Sequence, residues 1–273
     1  MTRWWLYDLI LYAYALSLLF HFADVAGDRR GAKNMGLGLL VFVWLLQTLF
    51  FVHRLWQIGI GPIFSWFETI FMLSWLLVSI SLTMRLQKQR SVLLLGLNMI
   101  AFTLLAAGRF ASGDGAAASQ GFGSYGWLLA VHIAVALGSY ASFTVSAIAS
   151  VLYIYLFRRL KDKRWSSFLK RLPGLEQVER LNSRSTAAGV GLLACSLAIG
   201  MAGLVGEGQA GSSLDWKTVL SLALLAGYGW QFVQRRRRVW SGLRLAVWNV
   251  SMYAMLGLNF IVSNRLSDWH RWQ

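Results

Sequence analysis

Apolar residues along the chain gather into eight long runs, roughly 4–22, 36–53, 64–83, 92–108, 126–157, 187–206, 217–234 and 245–264. Each run holds 17 or more residues, close to the ~20 that cross ~30 Å of hydrocarbon at ~1.5 Å per residue. No water satisfies the backbone in that layer, so helices are the expected solution. The residue-by-residue alternation of a membrane barrel is absent. The two prolines, Pro62 and Pro173, fall in connections and leave the helix interiors unbroken. The pattern predicts an all-α integral membrane protein, a single polytopic domain over 1–273 built as a bundle of eight transmembrane helices.

Charge orients the bundle. Of 26 Lys and Arg residues, 20 fall in alternate gaps: three after the first run, three after the third, nine after the fifth and five after the seventh. The opposite side has only Arg3, Arg54, Arg109, Lys217, Arg265 and Arg271. The positive-inside rule makes the first set cytoplasmic and both termini extracytoplasmic. A net charge of +15 then needs no nucleic acid, because it flanks membrane segments where topology and anionic lipid account for it.

Several chemistries are excluded. The single cysteine, Cys195, sits inside the sixth run and supports neither a disulfide framework nor a thiolate metal site. No C-x-x-C-H occurs, so this chain does not carry covalent c-type haem by that motif. No Gly-rich phosphate loop, paired catalytic carboxylates or nucleophile beside a base is present, and the chain reads as non-enzymatic. The first run is too long for a removed signal peptide, lacks a small-residue cleavage site, and reads as a retained helix.

The connection 158–185 is the longest cytoplasmic one. In it Trp165, Phe168, Leu169 and Leu172 recur at i, i+3, i+4 and i+7, with Lys163, Arg164, Lys170 and Arg171 between them. That is a basic amphipathic stretch on the membrane surface, ended by Pro173 and Gly174. A second short helical pattern sets Leu175, Val178 and Leu181 against Glu176, Glu179 and Arg180. The connection serves either as a surface staple or as a docking platform for a soluble cytoplasmic partner. The fifth run, at ~48 Å, must tilt or project beyond the bilayer. Along it Ala134, Gly138, Ser142, Ser146 and Ser150 form a small-residue stripe suited to close helix packing. His132 lies about 160° from that stripe at its own level, which predicts an imidazole on the side away from close packing.

His53, His132 and His270 fall at the outer boundary, and His21 near the cytoplasmic end of the first run, where an amphipathic anchor is the ordinary reading. A buried neutral imidazole needs a partner, and a metal is one option for His132. Glu68 lies about one turn inside the third run, where an acid marks a paired or functional site. Arg54 and Arg109 share its layer. One of them pairs with Glu68, or one receives a ligand carboxylate, which the planar guanidinium suits. Eight of 14 tryptophans, including Trp66 and Trp127, lie on the outer side, a modest excess that a flat apolar ligand would use.

These residues resemble a known family. Pro62, Ser65, Glu68 and Thr69 are similar to the P-x-x-S/N-x-x-E-S/T helix of the cytochrome c assembly superfamily. Trp127 to His132, continued by Ser139, Tyr140 and Ala141, resembles its W-x-x-x-x-H helix. Leu172 to Glu176, with Arg184 and Gly189, looks like its cytoplasmic L-P-x-L-E and R-x-x-x-x-G stretch. With His270 the likeness spans about 60–273. Larger members carry a long tryptophan-rich external loop, and here only Asp215, Trp216 and Lys217 of it remain. The short loop and eight helices look like the HemX-type branch. The resemblance implies a multi-pass protein of the bacterial plasma membrane that restrains glutamyl-tRNA reductase and binds non-covalent b-type haem. His132 and His270 correspond to the superfamily's iron ligands, with His53, Arg54, Arg109, Glu68, Trp66 and Trp127 lining the site. Haem delivery in cytochrome c maturation, with a membrane partner, is the alternative, and a structural assembly factor that binds nothing is the third reading.

Overall fold

The computed structural model describes residues 4–27, 30–58, 66–85, 91–111, 126–163, 169, 172–206 and 216–266. Among them the architecture is helical: α1 (Trp4–Gly27), α2 (Arg30–Ile58), α3 (Trp66–Arg85), α4 (Ser91–Ala111), α5 (Gly126–Lys161), α6 (Leu175–Gly206), α7 (Trp216–Arg236) and α8 (Gly242–Leu266). Six of these, α1 to α6, are long and apolar enough to cross a membrane. The chain divides into two compact units, Met1–Ala116 and Ala117–Gln273.

In the first unit α1 runs antiparallel to α2, with the Tyr7 ring 6.1 Å from Phe50 at one end and Ser17 Oγ donating to the Gly36 carbonyl at 3.0 Å near the other. Buried Tyr7, Ile10, Tyr14, Leu40, Val43, Phe71, Leu77 and Leu97 form the core. Polar side chains fasten the helices in pairs. The Tyr14 hydroxyl donates to Asn98 Oδ1 at 3.0 Å, joining α1 to α4. Asn98 Nδ2 donates to Ser81 Oγ at 2.7 Å, joining α4 to α3. Trp44 Nε1 donates to Ser79 Oγ and Trp75 Nε1 to Thr48 Oγ1, joining α2 to α3.

In the second unit α5 and α6 pack antiparallel along most of their lengths. Leu128 faces Gly203, His132 faces Gly200, Leu192 faces Gly138 and Phe143 faces Gly189, where a Cβ would come within 2.6 Å of the ring. Further along, Ser146, Asn182 and Thr186 join Asn249 of α8 in a buried hydrogen-bonded cluster. The face of α7 turned inward carries Ser221, Leu224, Tyr228 and Gln231, all buried, while Val219, Leu222, Trp230 and Val233 are exposed. The inward face of α7 thus mixes polar and apolar side chains while its outward face is apolar.

The helix ends follow from local chemistry. α7 stops in a Schellman motif: Val239 N donates to the Gln234 carbonyl at 3.2 Å, with Arg238 left-handed at φ 53°. Arg235 and Arg236 in its last turn, like Arg158, Arg159 and Lys161 in that of α5, complement the carbonyl end of the helix dipole. Residues 175–185, read from the sequence as the second half of a connection, form the first turns of α6. Val178 and Asn182 are buried, so this amphipathic pattern belongs to one long helix whose start lies outside the apolar run. Trp165 and Phe168 lie outside the described residues, while Leu169 and Leu172 are buried.

Candidate functional site

Two ion pairs join helices of the first unit. Glu68, in the first turn of α3, is 4% exposed. Its Oε1 accepts from Arg54 Nε at 2.9 Å and Nη2 at 2.5 Å, so Arg54 is the arginine it meets. Arg109 Nε donates to Asp8 Oδ1 at 3.1 Å, joining α4 to α1 with both side chains 39% exposed. Sequence reasoning missed Asp8. The signal was present, because Asp8 stands near the start of α1 and Arg109 near the end of α4. His53 precedes Arg54 on the exposed side of α2. Trp66 opens α3, but its side chain, like all of His270, lies outside the described residues.

In the second unit His132 is half-buried and is fixed by α6. Its Nδ1 lies 2.6 Å from the Ser196 carbonyl, and Ser196 Oγ donates back to the His132 carbonyl at 3.1 Å. A carbonyl only accepts, so Nδ1 carries a proton. Gly200 provides the space: a Cβ there would stand 2.8 Å from Nδ1 and Cε1 of the ring. The expectation that this imidazole lies away from close packing is therefore corrected. A four-residue stripe drifts about 40° per step on a helix turning about 100° per residue. By Ser146 and Ser150 it has come round to the face of His132, and one helix, α6, packs against both. Trp127, at the start of α5, is 63% exposed.

His21 has a similar setting in the first unit. Its Nδ1 lies 2.8 Å from the Ser17 carbonyl, and a Cβ on Gly36 would stand 3.0 Å from that nitrogen. At 5% exposure it is a packed interior residue rather than an interfacial anchor. Among the described residues no three His, Cys, Asp or Glu side chains gather to cage a bare metal ion. A single oriented imidazole would serve as one ligand to a metal that brings its other ligands with it.

Residues 36–270 match the cytochrome C assembly protein family. The chain belongs to that family. It is 35% identical over 269 residues to Protein HemX of Brevibacillus brevis, covering 97% of this chain and 98% of the relative. It is 29% identical over 257 residues to Protein HemX of Bacillus subtilis (strain 168), covering 94% and 93%. A 101-residue stretch, 37% of each chain, is 37% identical to an uncharacterized 28.8 kDa protein of Azospirillum brasilense. Family membership and the apolar helices together make this a multi-pass membrane protein with a HemX-type sequence.

Proposed function

We propose that the chain is a haem-binding regulator of the bacterial plasma membrane that holds non-covalent b-type haem on His132 and restrains glutamyl-tRNA reductase. In this reading it crosses the membrane eight times, both termini are extracytoplasmic, and it acts by binding rather than catalysis. The observation that carries the reading is the His132 imidazole, half-buried and anchored through Nδ1 to the Ser196 carbonyl, in a chain of the cytochrome C assembly family. An anchored Nδ1–H raises the basicity of Nε2 and fixes its direction, as in metal-binding histidines. His132 and His270 would hold the haem iron, with Trp127 an apolar neighbour, and two imidazole ligands would supply a stable low-spin centre suited to holding or sensing. Arg54 and Glu68 serve first as a structural pair, and Arg109 pairs with Asp8.

The cytoplasmic partner meets the exposed cations Arg158, Arg159, Lys161 and Lys163 at the end of α5. Reversing these four to Glu leaves the buried start of α6 intact and abolishes co-purification of glutamyl-tRNA reductase. Retention of the enzyme by the reversed protein rejects the regulatory reading. The family's own description favours a second reading, haem delivery in cytochrome c maturation with a membrane partner. Loss of c-type cytochromes on gene deletion, with the reductase level unchanged, selects it.

A further inference from the structure

Among the described residues of the second unit, three buried polar atoms find no protein hydrogen-bond partner: the Tyr228 hydroxyl and Gln231 Oε1 on α7, and Asn249 Oδ1 on α8. Their residues are 0%, 4% and 0% exposed. Hydrogen bonds between α7 and α8 place all three along one contact between these helices. Trp248 Nε1 donates to the Gly227 carbonyl at 3.1 Å, which sets the neighbours of Asn249 and Tyr228 against each other. Gln231 Nε2 reaches the Leu245 carbonyl, one turn before Asn249, at 3.5 Å. From α5, Phe143 stacks on Tyr228 at 4.1 Å, and Ser146, one turn on, accepts from Asn249 Nδ2 at 2.5 Å. The orphan atoms therefore share the seam where α5, α7 and α8 meet.

Asn249 spends its amide hydrogens on Ser146 Oγ and Asn182 Oδ1, which leaves its carbonyl oxygen as a pure acceptor, like Gln231 Oε1. Tyr228 adds a group that both donates and accepts. A guest for these atoms must donate hydrogen bonds. Three partners on one seam match the two to four that hold a buried water. We propose that the α7–α8 seam is a binding site for internal water, held by Tyr228, Gln231 and Asn249.

The sign of a conservative substitution tests this. Removing a hydroxyl that binds nothing is neutral or stabilising, whereas removing one that holds water is destabilising. Tyr228→Phe in the full-length, detergent-solubilised protein is expected to lower Tm by about 2–4 °C, and Gln231→Leu to act in the same direction. Radiolytic hydroxyl labelling read by mass spectrometry provides a second measurement, since radicals form at bound water. Tyr228 should be oxidised, while Tyr14, equally buried but bonded to Asn98, stays protected. An unchanged or raised Tm for Tyr228→Phe, or a Tyr228 as resistant to labelling as Tyr14, overturns the proposal.

Discussion

His21 and His132 lie in different units, yet each packs its ring against a glycine of the next helix and gives its Nδ1 proton to a backbone carbonyl. The carbonyl differs. His21 bonds to Ser17, one turn back on its own helix, and is 5% exposed. His132 bonds to Ser196 on the neighbouring helix and keeps partial exposure. The first is oriented as soon as α1 folds and is then covered by α2. The second acquires its orientation only when α5 and α6 come together. The two interior histidines thus differ in the origin of the carbonyl that holds them and in their residual exposure.

The environments of the two units sharpen the same contrast. One end of the first unit is held by charge, and its buried pair gives the largest effect. Glu68→Gln leaves Arg54 short of its counter-charge and is expected to destabilise by about 3 kcal/mol, read as the shift in thermal unfolding of the purified protein. An effect close to zero would show that the pair is not a structural tie. Next comes the glycine on which His132 rests. Gly200→Ala puts a methyl within 2.8 Å of the ring, and overpacking of this kind costs about 1–3 kcal/mol. Gly36→Ala meets His21 at 3.0 Å and should cost less. Equal costs would erase the distinction between a rigid and a yielding notch. Smaller again is Asp8→Asn, which breaks a half-exposed pair and should cost no more than about 1 kcal/mol. The smallest change is expected for Ser196→Ala, which removes a hydroxyl contact but leaves the backbone carbonyl that orients His132. Unfolding and haem uptake should both stay near those of the parent, and a large loss of haem would move the orienting role from the carbonyl to the hydroxyl.

The eight helices were legible as long runs rich in apolar residues, and six of them, α1 to α6, are long and apolar enough to cross a membrane. The true extents of α5 and α6 were not, since Arg158 to Lys161 and Leu175 to Thr186 are helical turns that lie beyond the apolar stretch and read as a polar connection. Glu68 with an arginine was legible from depth alone, and the choice of Arg54 required the packing of α2 on α3. The face of His132 was misread because a spacing of four drifts around the helix while a packing seam follows 3.6. The burial of His21 depends on Gly36, a residue on another helix, which no single-helix pattern reveals.

Haem titration of the purified protein, comparing His132→Ala with His21→Ala in the same detergent, tests the central claim most directly. The account predicts that His132→Ala loses the low-spin haem spectrum while His21→Ala retains it at the parent stoichiometry. Retention of that spectrum by His132→Ala, or its loss in His21→Ala with the fold intact, would contradict the assignment of His132 as the prepared ligand.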